Sequence, residues 1–204
     1  DFVSMEEKIR QVGTFFFETN ATVENLLKQT INYIAIGVAD VKYDSEGRLV
    51  LNVDDAHNAF VYYIPMNLRY TLSSGSTEGF LERFKVLFED ETLAKIAVDS
   101  KREYNTLRAN GICLKNVVFD AYLASYVENS SNSHELEVQA LQCLNISPIK
   151  DINTNVKAVQ LGLLDDGADS AKAYRQMWLL IGLTGYRISS FTDTCWKLLQ
   201  TMEL

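Results

Sequence analysis

The chain has 204 residues, 47% of them hydrophobic and 23% charged, which is enough apolar content to build the core of one domain. Its formal net charge of −8 argues against a domain that grips a nucleic-acid backbone unaided, because Lys and Arg must replace condensed counterions there. No apolar run reaches the length of a membrane span, and the acidic opening Asp1…Glu6-Glu7 lacks signal-peptide character, so a soluble, cytoplasmic monomer is expected.

Residues 1–8 read as a polar lead-in. Val12–Thr19, crowded with Phe, has strand character, and the polar Ala21–Thr30 reads as a brief helix. Ile31–Val41 is β-branched and apolar, the pattern of a buried strand. Lys42–Asn58 carries turn residues around Arg48–Val53 and predicts a hairpin excursion, and Ala59–Ile64 is another strand stopped by Pro65. Ser73–Ser76 is a loop, with Ser76 or Thr77 placed to cap a helix over Glu78–Glu89. In that helix Phe80, Leu81, Phe84, Leu87 and Phe88 share one face.

Ala94–Val98 is a short strand, and Lys101–Asn110 a helix closed by Asn110-Gly111. Asn116–Phe119 is the last short strand, leading through Asp120 as N-cap into a helix over Ala121–Glu128. Ser133–Leu144 repeats the helical period, and Asp169–Leu204 reads as two helices broken near Gly182–Gly185.

Together these segments predict a three-layer α/β/α domain over residues 1–204, with a mixed, roughly five-stranded sheet. The strands before and after the turn-rich insert should be antiparallel, and the strand at Ala94, which follows a helical crossover, parallel to a neighbour. Alternation along the first strand sets Phe15 and Phe17 on one face and Phe16 with Glu18 on the other. The chain opens at Asp1 and closes on Met202-Glu203-Leu204 within a helical pattern, so both ends are expected to be cuts from a longer protein.

Few residues suggest chemistry by themselves. Cys113, Cys143 and Cys195 are odd in number and lack zinc-site spacing, which fits buried thiols in a reducing compartment. His57 and His134 have no motif partner and read as surface histidines, while the loop Ser74–Thr77 lacks the lysine of a phosphate-binding loop. Lys101, Arg102 and Arg108 form the one dense basic patch, read as a solvated helix face.

Several blocks carry a resemblance. Phe60-Val-Tyr-Tyr-Ile-Pro65 is similar to a strand ending Ala-Tyr-Ile-Pro. Leu87-Phe-Glu-Asp-Glu-Thr-Leu-Ala-Lys-Ile96 resembles a helix-to-strand junction, and Leu107-Arg-Ala-Asn-Gly-Ile112 with Val118-Phe-Asp-Ala-Tyr-Leu-Ala-Ser-Tyr126 is the most specific match. All of these resemble the 3′–5′ exonuclease domain of bacterial DNA polymerase I, a ribonuclease-H-like fold of the DEDD superfamily. The resemblance covers nearly the whole chain, weakly between residues 145 and 180.

The resemblance implies catalysis by four carboxylates that hold two Mg²⁺ or Mn²⁺ ions. Carried over singly, the first aspartate falls on Phe16, whose ring cannot ligate a hard cation. The second position is kept as Glu18. The third falls on Glu103, where the family has aspartate. The family's Tyr-x-x-x-Asp aligns with Tyr186-Arg-Ile-Ser-Ser190, so the tyrosine survives and the aspartate has become Ser190.

These positions imply a vestigial, catalytically inactive proofreading domain with no metal expected, packed on the polymerase domain of the same chain and meeting DNA through the full-length protein. In this reading Glu18 and Glu103 are ordinary polar residues or a like-charge pair relaxed by solvent. Tyr104 and Tyr186 are the candidates for weak base stacking. Two alternatives stand beside it: an active nuclease whose ligands have moved to Glu18, Asp99, Glu103 and Asp193, and a stand-alone interaction module of the same fold.

Overall fold

The structure, a computed structural model, describes residues 2–39, 42–43, 45, 49–50, 59–66, 77–145, 158–160, 176–177 and 179–184. The first residues are no lead-in. Helix α1 spans Phe2–Val12, because Phe2, Met5 and Ile9 recur at helical spacing beneath the charged Glu6, Glu7, Lys8 and Arg10 that disguise it. Met5 and Ile9 are fully buried. Phe2 meets Phe84 edge to face with centroids 5.1 Å apart.

Strand β1 (Thr14–Asn25) and strand β2 (Lys28–Val38) form one long antiparallel hairpin. The brief helix expected over Ala21–Thr30 is therefore replaced by strand, turn and strand. Thr19, Thr22 and Val23 are β-branched residues that suit the ladder. Asn25 closes the turn, its Oδ1 accepting from the N–H groups of Leu27 and Lys28, both at 3.0 Å.

Strands β3 (Lys42–Tyr43) and β4 (Leu49–Val50) pair antiparallel, as the turn-rich insert predicts. Strand β5 (Phe60–Pro65) follows, then α2 (Thr77–Phe88), β6 (Ala94–Ala97) and α3 (Ser100–Ala109). Next come β7 (Val117–Asp120), α4 (Ala121–Glu128), α5 (Leu136–Leu144) and β8 (Ala158–Gln160). Helix α3 ends at Asn110, with Gly111 at φ +78° continuing the expected left-handed stop.

The main sheet runs β7-β6-β1-β2-β5-β8. β6 and β7 are parallel to β1, and β2 is antiparallel to both of its neighbours. β8 is parallel to β5. All five expected strands are present, and the pairing senses agree with expectation. β8 is an addition: a run of three residues is too short to announce itself by periodicity.

Side chains alternate across this sheet into two cores. On one face Phe15, Phe17, Ile34, Ile36 and Tyr62 pack with α1, α2 and Leu107 of α3. On the other Phe16, Tyr33, Ala35, Val61 and Tyr63 pack with α4, α5 and the helical residues 176–177 and 179–184. The result is the expected three-layer α/β/α arrangement.

Helical residues 179–184 run straight through Gly182. The break expected near Gly182–Gly185 does not fall at Gly182, where a Cβ would stand 3.1 Å from Leu144 Cδ1 of α5, while Gly185 lies outside the described residues. Apart from residues 176–177 and 179–184, Asp169–Leu204 lies outside the described residues, as do Ser73–Ser76, His57 and Cys195. Cys113 and Cys143 are half-buried rather than fully enclosed.

Candidate active site

The carboxyl ends of β1's parallel partners define where a site can form. β1 pairs with β6 as far as Phe17 opposite Ala97, so Glu18 sits one residue beyond that ladder, where the chain leaves β6 to begin α3. Phe16, on the face that alternation gives to Glu18, is 0% exposed and belongs to the core built with Ile96, Met177 and Ile181.

Its cross-strand partner is Gly37. A Cβ at that position would lie 3.1 Å from Ile181 Cδ1, 3.3 Å from Phe16 Cβ and 3.5 Å from Met177 Sδ. The absent side chain at 37 is what lets Met177 and Ile181 close over the Phe16 region. The position that the resemblance assigns to a metal-binding aspartate is thus dry and packed with carbon and sulfur.

Helix α3 brings the remaining acids together. Asp99 is its N-cap and accepts from the Arg102 N–H at 3.0 Å, which leaves Glu103 in the first turn pointing at β1. Glu103 Oε2 accepts from the Thr19 N–H at 2.9 Å and from Thr19 Oγ1 at 2.5 Å. Its other oxygen accepts from Arg102 Nη2 at 2.9 Å, and the same Nη2 lies 3.4 Å from Glu18 Oε1.

Side-chain exposure falls from 48% for Arg102 to 14% for Glu18 and 0% for Glu103. Burial pushes the Glu103 carboxyl up to about 7, against the pull of Arg102 and Thr19, with Glu18 adding to the rise. The expectation of a like-charge pair relaxed by solvent is corrected: one acid is sealed from water, and an arginine joins the two. Arg102 is likewise more than part of a solvated basic face. Its position directly before Glu103 in sequence was the available signal, obscured because the patch Lys101-Arg102 reads as simple surface charge.

Asp120 is committed elsewhere, as expected of an N-cap. Its Oδ1 accepts from the Leu123 N–H at 2.8 Å, while Oδ2 accepts from Ser100 N at 2.7 Å and Ser100 Oγ at 2.5 Å. It therefore ties the start of α4 to the start of α3. Burial raises its carboxyl above the usual range, partly offset by these bonds.

Tyr104 is 42% exposed on α3. Tyr186, Ser190 and Asp193 lie outside the described residues. His134 is not the bare surface histidine the sequence suggests: its Nδ1 is 2.9 Å from Ser125 Oγ, and its ring meets Tyr122 and Tyr126 with centroids 5.1 and 5.4 Å away. Ser125 is buried, which makes this pair an internal tie between α4 and the start of α5.

Among the described residues, the donor set does not fit a pair of divalent ions. Mg²⁺ and Mn²⁺ require several oxygens in near-octahedral array. Phe16 supplies none, Glu103 has both oxygens engaged within the protein, and a guanidinium lies against both acids.

Residues 60–150 match the family described as DNA polymerase I, ribonuclease H-like domain, over the blocks in which the sequence resemblance is strongest. No curated protein matches the chain in sequence. Among solved structures, the POL domain of Pol1 from M. smegmatis in complex with DNA primer-template and dNTP superposes with a TM-score of 0.62 at 14% identity, over 98% of this chain and 28% of that one. Brucella melitensis NrnC with bound Mg²⁺ gives 0.56 at 16% identity, over 95% of this chain and 84% of that one. The chain thus approaches the length of NrnC but spans only about a quarter of Pol1. These comparisons agree on a ribonuclease-H-like fold, with the family match confined to residues 60–150.

Proposed function

We propose that this domain is a catalytically silent 3′–5′ exonuclease domain of a cytoplasmic DNA polymerase I, kept as a structural module on the polymerase domain of the same chain. Template-directed synthesis in replication and repair then belongs to the parent polymerase, and DNA is met chiefly through it. The observation that carries this reading is Phe16, fully buried among Ile96, Met177 and Ile181 at the position where the family resemblance calls for a metal-binding aspartate.

Two-metal cleavage of a phosphodiester needs one ion to activate water and another to stabilise the leaving oxygen. A ring packed into a dry core gives neither ion a ligand. The rearranged set fares no better at its described members, since Asp99 caps α3 and Glu103 is spent on Thr19 and Arg102. The negative charge of the chain fits a module that leans on a partner for DNA contact, with Tyr104 and Tyr186 offering at most weak stacking to a single strand.

The test is incubation with a 5′-labelled single-stranded oligonucleotide in Mg²⁺ and, separately, Mn²⁺. No shortening over hours is expected at stoichiometric protein. A ladder of 3′-trimmed products, abolished by E18Q, overturns the proposal.

A further inference from the structure

We propose that Arg102 is the resident cation of this site: a tethered guanidinium that neutralises Glu18 and Glu103 in place of metal and bars divalent ions from them. The inference rests on the silent-domain reading and adds a device that Phe16 alone does not provide. Removing one ligand position weakens a metal site, but two neighbouring carboxylates would still attract a hard cation. Here that attraction is already met. Arg102 Nη2 stands 2.9 Å from Glu103 Oε1 and 3.4 Å from Glu18 Oε1, and the acid nearer to it is fully buried.

Three features favour this role over chance surface pairing. Arginine stays charged at any working pH and its planar head can serve two acceptors at once, which a lysine cannot do as well. The backbone that carries it is fixed, since the Arg102 N–H donates to the Asp99 cap in the first turn of α3. Glu103 is anchored independently by two bonds from Thr19, so the acid cannot swing out to follow a departing cation. A buried carboxylate in that position needs a positive partner, and among the described residues Arg102 is the one that forms an ion pair with it.

The same geometry separates Arg102 from a DNA-binding arginine. Lys101, Arg102 and Arg108 are all exposed on α3, and what sets Arg102 apart is its ion pairs with Glu103 and Glu18, which a phosphate contact would have to break. Arg102 is thus a positioning residue for the remnant acids, and its loss should be read in stability and ion binding.

The experiment compares the wild-type protein with R102Q, R102K and R102Q/E18Q by thermal unfolding and by calorimetric titration with MnCl₂. R102Q is expected to lower the unfolding midpoint by about 4 to 8 °C. It should also gain weak saturable Mn²⁺ binding that the wild type lacks, and Mn²⁺ should raise its midpoint while leaving the wild type unmoved. R102K should recover part of the lost midpoint, and R102Q/E18Q should lose the ion binding.

If R102Q does not fold by itself, refolding promoted by Mn²⁺ supports the proposal and refolding indifferent to Mn²⁺ overturns it. An R102Q protein with an unchanged midpoint, or one blind to Mn²⁺, overturns the role of Arg102 while the silent-domain reading stands. Saturable Mn²⁺ binding accompanied by DNA trimming in the wild type overturns both.

Discussion

Phe16 and Gly37 stand opposite each other across the β1–β2 ladder, and a Cβ at 37 would come within 3.3 Å of the Phe16 Cβ. The same Cβ would press on Ile181 Cδ1 at 3.1 Å, so the bare backbone at 37 is what seats a helix over the sheet. G37V adds branched bulk to a site already in contact on three sides. It should cost about 1 to 3 kcal/mol of stability, read as a lower urea midpoint at unchanged slope. An unchanged midpoint would mean that Met177 and Ile181 do not pack there.

Phe16 itself gives a graded test. F16A should destabilise by about 3 to 5 kcal/mol, since a fully buried ring leaves a cavity among Ile96, Met177 and Ile181. F16D should cost more, because it adds an unpaired carboxylate to the same dry space. It should not confer exonuclease activity, because a serine, Ser190, still stands where the sequence resemblance places the last ligand. Cleavage by the single F16D variant would contradict this.

Glu103 sets a pH dependence. Its carboxyl lies at about 7 in the folded protein against 4.5 ordinarily, so the folded state holds that proton more tightly than the unfolded chain. Its contribution to stability is therefore full below 4.5 and is lost as pH rises through about 7. Wild-type stability should carry a downward slope over this window that E103Q lacks. Parallel wild-type and E103Q profiles from denaturant titrations at closely spaced pH values would remove Glu103 as the source.

Asp120 links two helix starts and is a heavily used carboxylate outside the acidic pair. D120A strips α4 of its cap and leaves the buried Ser100 N–H and hydroxyl without their acceptor. A loss of about 2 to 4 kcal/mol is expected. D120N keeps one acceptor oxygen and should recover part of it. Equal losses for the two variants would show that acceptor geometry at 120 does not matter.

Much of the sheet is legible in the sequence, and the reason is local. The Phe-rich run, Ile31–Val41 and Phe60–Pro65 carry β-branched and aromatic residues bounded by turn chemistry, so their strands declare themselves. Helix α1 is hidden because few apolar residues, chiefly Phe2, Met5 and Ile9, show through a charged outer face. The β1–β2 hairpin is hidden because its tip, with Leu26 and Leu27 both exposed, carries no core-facing alternation.

At the site, alternation places Phe16 and Glu18 on one face correctly. What it cannot supply is the closure between distant elements: that Glu103 bonds back to Thr19, and that the arginine preceding it bridges to Glu18. Those contacts join positions 84 residues apart, a separation that no local pattern encodes.

The most direct measurement is a manganese-soaked crystal with anomalous scattering collected at the Mn edge. The account predicts no anomalous peak between Glu18 and Glu103, with the Arg102 guanidinium density in that place. A pair of well-occupied Mn²⁺ peaks coordinated by Glu18, with Arg102 swung out to solvent, would contradict it.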